Sequence, residues 1–129
     1  MKYITTILLT LSIAVGQGLS KEEKAIQSYV EMHTNEAINL LEKVVNINSG
    51  TLNIKGNKKV GKIFQMELDK LGFKTYWVTY PNDVKRSGHL FAEMRGGTGK
   101  KIVMVGHLDT VFEPDHPFQT YTRTDDTAY

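Results

Sequence analysis

The chain has 129 residues, which is enough for one ordinary domain and equally fits a part of a larger one. Sixteen Lys and Arg against fourteen Asp and Glu give a formal charge of +2, and this near balance argues against a nucleic-acid partner. The sequence has no cysteine, so disulfides and thiolate metal sites are excluded, and any metal must be held by histidine and carboxylate.

The first twenty residues, MKYITTILLTLSIAVGQGLS, have the character of a secretory signal. Lys2 is their only charge, and Ile4 to Val15 is uncharged and mostly apolar. An apolar stretch of this length followed by small residues is typical of a cleaved signal, whereas a transmembrane helix needs about 20 apolar residues. The sequence predicts a signal peptide over residues 1–18, cleaved after Gly16 or Gly18, and export to the periplasm or medium. We expect no stable membrane span after cleavage, and an uncleaved anchor is the alternative.

A long amphipathic helix is predicted next. Ser20 and Glu23 form a capping-box pattern at its start. Apolar residues then recur at three- and four-residue steps: Ile26, Tyr29, Val30, His33, Ala37, Ile38, Leu41 and Val44. Because His33 lies on this apolar stripe, we expect a packed, hydrogen-bonded histidine there rather than a metal ligand.

A loop and a second helix follow. The segment NINSGTLNIKG is rich in Asn, Ser and Gly, which is typical of a loop. A second helix is predicted to end at Gly72, from apolar residues at helical spacing: Val60, Ile63, Phe64, Leu68 and Leu71.

Three strands are predicted in the second half of the chain. FKTYWVT (73–79) and HLFAEMR (89–95) are strand candidates, and the unbroken apolar run KIVMVG (101–106) is typical of a strand covered on both faces. The mixed order of two helices and three strands predicts an α/β layer fold. The tail offers one further short candidate, around Phe118 to Thr122. Because an open sheet edge needs more strands than these, we expect a truncated domain.

The candidate chemistry lies in VMVGHLDTVF, where the apolar run stops at Gly106 and His107 and Asp109 follow. Ligands of open α/β sheets bind beyond the carboxyl ends of strands, which is the position predicted for His107. An imidazole that binds a metal through one nitrogen needs an acceptor for the N–H on the other, and Asp109 can provide it. The sequence therefore suggests His107 as a metal ligand and Asp109 as its partner. The alternative is a simple hydrogen bond in a solvated turn.

A weaker group lies just downstream. His116 with Glu113 and Asp115 could hold a metal loosely. Pro114 and Pro117 favour a rigid exposed loop instead.

The stretch VGHLDTVF closely resembles the first metal motif of the zinc metallopeptidase family that includes glutamate carboxypeptidase, acetylornithine deacetylase, succinyl-diaminopimelate desuccinylase and the aminoacylases. The likeness extends to SGTLN, KVGKIFQMELDKLGF, HLFAEMRG and PFQTYTRTDDTAY, in order, over nearly all of Lys21 to Tyr129. It is strongest with the exported members that are similar to glutamate carboxypeptidase.

This resemblance implies roles for two residues. His107 matches the histidine ligand of one of two zinc ions, and Asp109 matches the acidic residue regarded as catalytic because it orients that histidine. In the family, the remaining ligands, a glutamate general base and an inserted dimerisation domain would follow Tyr129. Residues 19–129 are therefore expected to form the N-terminal part of a mixed-sheet, helix-covered zinc-peptidase catalytic domain.

The implied reaction is hydrolysis of an amide or peptide bond next to a free carboxylate, in a small peptide or N-acyl amino acid. A homodimer is expected only for a full-length protein. The alternative is a non-catalytic remnant or an incomplete gene product with half of a metal site.

Overall fold

The computed structural model describes residues 18–81 and 84–129. Its elements follow in the order α1 (Lys21–Val45), α2 (Ile54–Lys70), β1 (Lys74–Val78), β2 (His89–Glu93), β3 (Arg123–Thr124) and β4 (Thr127–Ala128). The described residues divide into two compact units, and the boundary between them falls after Thr34. Apart from Gly18, the predicted signal peptide lies outside the described residues. None of the described helices is both long and apolar enough to cross a membrane.

The first unit contains the beginning of α1, and the predicted capping box is confirmed there. The Ser20 amide donates to the Glu23 carboxylate at 2.7 Å, and the Glu23 amide donates to the Ser20 hydroxyl at 3.1 Å. His33 is half-buried, with Nδ1 2.8 Å from the Tyr29 carbonyl oxygen and its ring stacked on Tyr29 at 3.9 Å. The expectation of a packed, hydrogen-bonded histidine is therefore confirmed.

In the second unit, α2 is fixed at both ends. The Asn53 side chain accepts a hydrogen bond from the Gly56 amide at 3.0 Å, so the helix begins at Ile54, inside the segment predicted as a loop. At the other end, Phe73 N donates to Leu68 O at 3.1 Å, and Gly72 has a φ of +86°. This is the glycine-terminated helix end that the sequence predicts.

Strands β1 and β2 pair antiparallel, from Lys74 opposite Glu93 to Val78 opposite His89, and both strand predictions are confirmed. One face of this ribbon packs towards α2. The Trp77 ring lies so close to Gly61 that a Cβ there would be 2.8 Å from the ring atom Cη2. The apolar core nearby contains Val60 and Ile63, which are 3% and 7% exposed.

The third predicted strand is wrong. In the described part of the chain, residues 101–106 form no strand, and Ile102 to Val105 are 83–93% exposed. A buried strand needs paired neighbours and a covering layer on each face. Here β1 and β2 pair with each other, β3 pairs with β4, and no described strand pairs with the run.

The predicted short strand around Phe118 to Thr122 is also wrong. Instead, β3 and β4 form a small hairpin across Asp125 and Asp126, with Asp125 at a φ of 52°. Phe118 packs its ring against Phe112 at 4.9 Å. The chain thus combines helices with small two-stranded sheets.

Candidate functional site

Two loops that are distant in the sequence meet at the predicted site. One loop follows α1 and contains Ser49 to Thr51, and the other contains His107 to Thr110. Gly50 forms an isolated parallel bridge with Thr110. The Thr51 amide donates to the Thr110 carbonyl at 3.1 Å, and the Thr110 amide donates to the Ser49 carbonyl at 2.8 Å. The α1–α2 loop therefore forms one wall of the site.

The two predicted site residues are in contact. His107 Nδ1 lies 3.1 Å from Asp109 Oδ1, and the two side chains are 90% and 34% exposed. An ionised carboxylate only accepts hydrogen bonds, so a neutral His107 carries its proton on Nδ1 and has a lone pair on Nε2. Within residues 18–81 and 84–129, no group hydrogen-bonds Nε2. The same contact also fits the alternative, a simple hydrogen bond in a solvated turn. The role of His107 as a metal ligand therefore stays a prediction.

A third residue, Thr51, completes the hydrogen bonding of Asp109. The Thr51 hydroxyl donates to Asp109 Oδ2 at 2.8 Å, so each carboxylate oxygen has its own partner. The Thr51 hydrogen bond, followed by that of His107, holds the pKa of Asp109 below its usual range. The sequence assigned Thr51 no role, because its position in SGTLN, 58 residues before Asp109, carries no spacing signal.

Side chains join the same two loops further out. Asn48 Nδ2 donates to the Phe112 carbonyl at 2.9 Å, and the Leu52 amide donates to the Glu113 carboxylate at 3.0 Å. These bonds fix both ends of the contact between the loops. Glu113 therefore acts on the backbone of the α1–α2 loop.

His116, from the weaker histidine and carboxylate group, makes contacts within its own loop. His116 Nδ1 accepts from the Phe118 amide at 3.1 Å, and its ring packs against Phe112 at 4.8 Å. In the two described ranges, no group of three or more histidine and acidic residues is placed to hold a metal ion.

An open cavity of about 400 Å³ adjoins the His107–Asp109 pair. Its lining is mainly apolar, and it includes Leu41, Val44, Phe64, Leu108 and Phe118. A concave apolar space with a few polar groups at its edge is the usual form of a small-molecule site.

The side chains present fit part of a zinc site. An exposed imidazole nitrogen is a good zinc ligand, and a carboxylate on the other ring nitrogen is its usual support. A catalytic zinc ion takes about three protein ligands, and the described residues contain no group of three histidine and acidic side chains placed to hold one. The fit is therefore limited to one predicted ligand and its hydrogen-bond partner.

Comparison with known proteins links the chain distantly to a carboxypeptidase. It is 29% identical over 111 residues to Carboxypeptidase G2 of Pseudomonas sp. (strain RS-16). The aligned part is 84% of this chain and 26% of that protein, so the chain spans about a quarter of the length of this relative. No protein-family model matches the chain. No solved structure matches it either.

Proposed function

We propose that the chain contributes the N-terminal part of the catalytic domain of an exported, zinc-dependent hydrolase. The proposed reaction cleaves an amide or peptide bond next to a free carboxylate, as in glutamate carboxypeptidase. The observation that carries the proposal is the His107–Asp109 hydrogen bond at 3.1 Å, which occupies Nδ1 and leaves Nε2 exposed to a ligand. The distant similarity to Carboxypeptidase G2 supports the same class of reaction.

Each residue of the pair has a separate role. His107 would hold one zinc ion through Nε2. Asp109 accepts a hydrogen bond from the Nδ1–H group, which fixes the tautomer and the ring orientation that this ligand needs. When bound, zinc supplies a Lewis acid that polarises a carbonyl and lowers the pKa of water. One imidazole does not choose between zinc, cobalt and manganese, so the choice of zinc rests on the family resemblance.

We infer that the substrate is a small peptide or an N-acyl amino acid. The cavity of about 400 Å³ beside His107 and Asp109 is in the range of small-molecule sites. Its apolar lining suits a hydrocarbon part of such a substrate.

Hydrolysis of an N-acyl glutamate by the protein made from the complete reading frame of its gene tests the proposal. We expect zinc-dependent turnover, removed almost entirely by His107→Ala. Asp109→Asn should retain the fold and weaken metal binding by about 10- to 100-fold.

Asp69→Asn is the matched control. The Asp69 carboxylate also accepts a hydrogen bond from a threonine hydroxyl, that of Thr75 at 2.6 Å, at another place in the fold. It should hydrolyse the substrate like the parent protein. Absence of zinc-dependent hydrolysis from the complete protein, or normal hydrolysis by Asp109→Asn, would overturn the proposal. The first result would favour the non-catalytic alternative.

A further inference from the structure

We infer that Thr51 is a positioning residue, whose hydroxyl orients the Asp109 carboxylate so that its other oxygen accepts a hydrogen bond from the Nδ1–H group of His107. That this positioning supports a metal ion at Nε2 rests on the proposed function. The hydrogen bonds from Thr51 to Asp109 and from His107 to Asp109 are independent of the proposed function.

The geometry shows why a second anchor matters. The terminal torsion of an aspartate is broad, so a carboxylate with one partner can turn. Asp109 has two partners on different oxygens, Thr51 Oγ1 at 2.8 Å from Oδ2 and His107 Nδ1 at 3.1 Å from Oδ1. His107 is 90% exposed, so it cannot hold the carboxylate in place by packing. Thr51 is the better-held of the two donors.

Thr51 is held through its own backbone and its neighbour. Its amide donates to the carbonyl of Thr110, the residue after Asp109, at 3.1 Å. Its hydroxyl is 2.8 Å from Asp109 Oδ2 and 3.3 Å from the same Thr110 carbonyl, so the carboxylate is the nearer acceptor. Gly50, which precedes Thr51, accepts from Asn57 Nδ2 at 2.9 Å, and Asn57 is fully buried on α2. These hydrogen bonds join the loop that carries Thr51 to α2. The Thr51 hydroxyl is thereby held in a position from which it orients Asp109.

The tautomer of His107 reports this positioning without any metal or substrate. Imidazole ¹⁵N shifts of the labelled chain, recorded on the neutral form of the ring, distinguish the Nδ1–H form from the Nε2–H form. In the parent protein we expect mainly Nδ1–H at His107. Mainly Nε2–H in the parent would overturn the inference before any variant is made.

Thr51→Val removes the hydroxyl and keeps the shape of the side chain. We expect the ratio of Nδ1–H to Nε2–H at His107 to fall by about three- to tenfold, the effect of losing one hydrogen bond. Thr51→Ser should restore the parent ratio. Thr75→Val, which removes the threonine hydrogen bond to Asp69, should leave the ratio unchanged.

Amide signals of β1 and β2 show whether each variant is folded. A folded Thr51→Val with the parent ratio, or a Thr51→Ser that behaves like Thr51→Val, would overturn the inference. If the tautomer responds as expected and the complete protein does not hydrolyse amides, the positioning role stands and the proposed function falls. If the complete protein hydrolyses amides and the tautomer does not respond, the proposed function stands and the positioning role of Thr51 falls.

Discussion

Asp109 is the residue on which the candidate site depends, because it accepts from Thr51 and from His107 on separate oxygens. Both bonds favour its ionised form and hold its pKa below the usual range. The resulting stabilisation is fully present above the ordinary aspartate pKa of about 3.9. It is lost as the pH falls through the lower pKa of the folded protein.

Thr51→Val should therefore raise the pKa of Asp109 towards its ordinary value, because the largest cause of the shift is removed. A ¹³C titration of the carboxyl signal between pH of about 2 and 6 measures this change. Thr51→Ser is the control and should titrate like the parent. A pKa that stays the same or falls further in Thr51→Val would show that the hydroxyl does not act on Asp109.

The two kinds of site residue differ in how far sequence could find them. His107 and Asp109 stand two positions apart after an apolar run, so their contact was predictable from local spacing. Thr51 reaches Asp109 only because the α1–α2 loop pairs with Thr110. That pairing is a tertiary contact, and nothing in the sequence around Thr51 indicates it.

At the scale of elements, the start of α1, the end of α2 and strands β1 and β2 were predictable, whereas the start of α2 was not and the predicted buried strand is absent from the described structure. Gly72 ends α2 because it adopts a positive φ, and the aromatic and β-branched residues of β1 and β2 favour an extended backbone. Both effects are local, so the sequence alone indicates them. The run 101–106 has the composition of a covered strand, but its burial depends on partners elsewhere. Composition alone therefore gave the wrong element there.

Substitutions of Asn53 test how much the hydrogen bonds at the start of α2 stabilise the fold. Asn53 Oδ1 accepts from the Gly56 amide at 3.0 Å, and its Nδ2 donates to the Asn48 carbonyl at 3.0 Å. Asn53→Ala removes these two bonds and a third, from Nδ2 to Asn48 Oδ1 at 2.9 Å, and should lower the free energy of unfolding by about 1–2 kcal/mol. Asn53→Ser keeps an acceptor for the cap and loses the amide donor to Asn48, so it should cost less. Urea unfolding measures both, and equal losses would show that the cap contributes nothing.

At the scale of the whole molecule, the described structure leaves an apolar surface open. Ile102, Val103, Met104 and Val105 are consecutive and at least 83% exposed. Contiguous exposed apolar residues of this kind are typical of surfaces that other protein covers. The truncated catalytic domain expected from the sequence stays a prediction.

Export is a prediction for the whole chain. Expressed with its native start in a Gram-negative host, the protein should lose its first 16 to 18 residues, because a charge-poor apolar stretch ends there in small residues. Intact-mass measurement of the exported product reads the cleavage point. Leu9→Arg, which puts a charge in the apolar stretch, should block export. An exported product that still begins at Met1 would show that the signal is not cleaved.

The most direct test of His107 as a metal ligand and Asp109 as its partner is a crystal structure of the zinc-loaded protein. The protein is made from the complete reading frame, and anomalous data are recorded at the zinc edge. We predict a zinc peak about 2.0–2.1 Å from Nε2 of His107, with Asp109 still on Nδ1 and Thr51 still on the far carboxylate oxygen. A zinc ion bound elsewhere, with His107 Nε2 unligated, would contradict the assignment of this pair as a metal ligand and its partner.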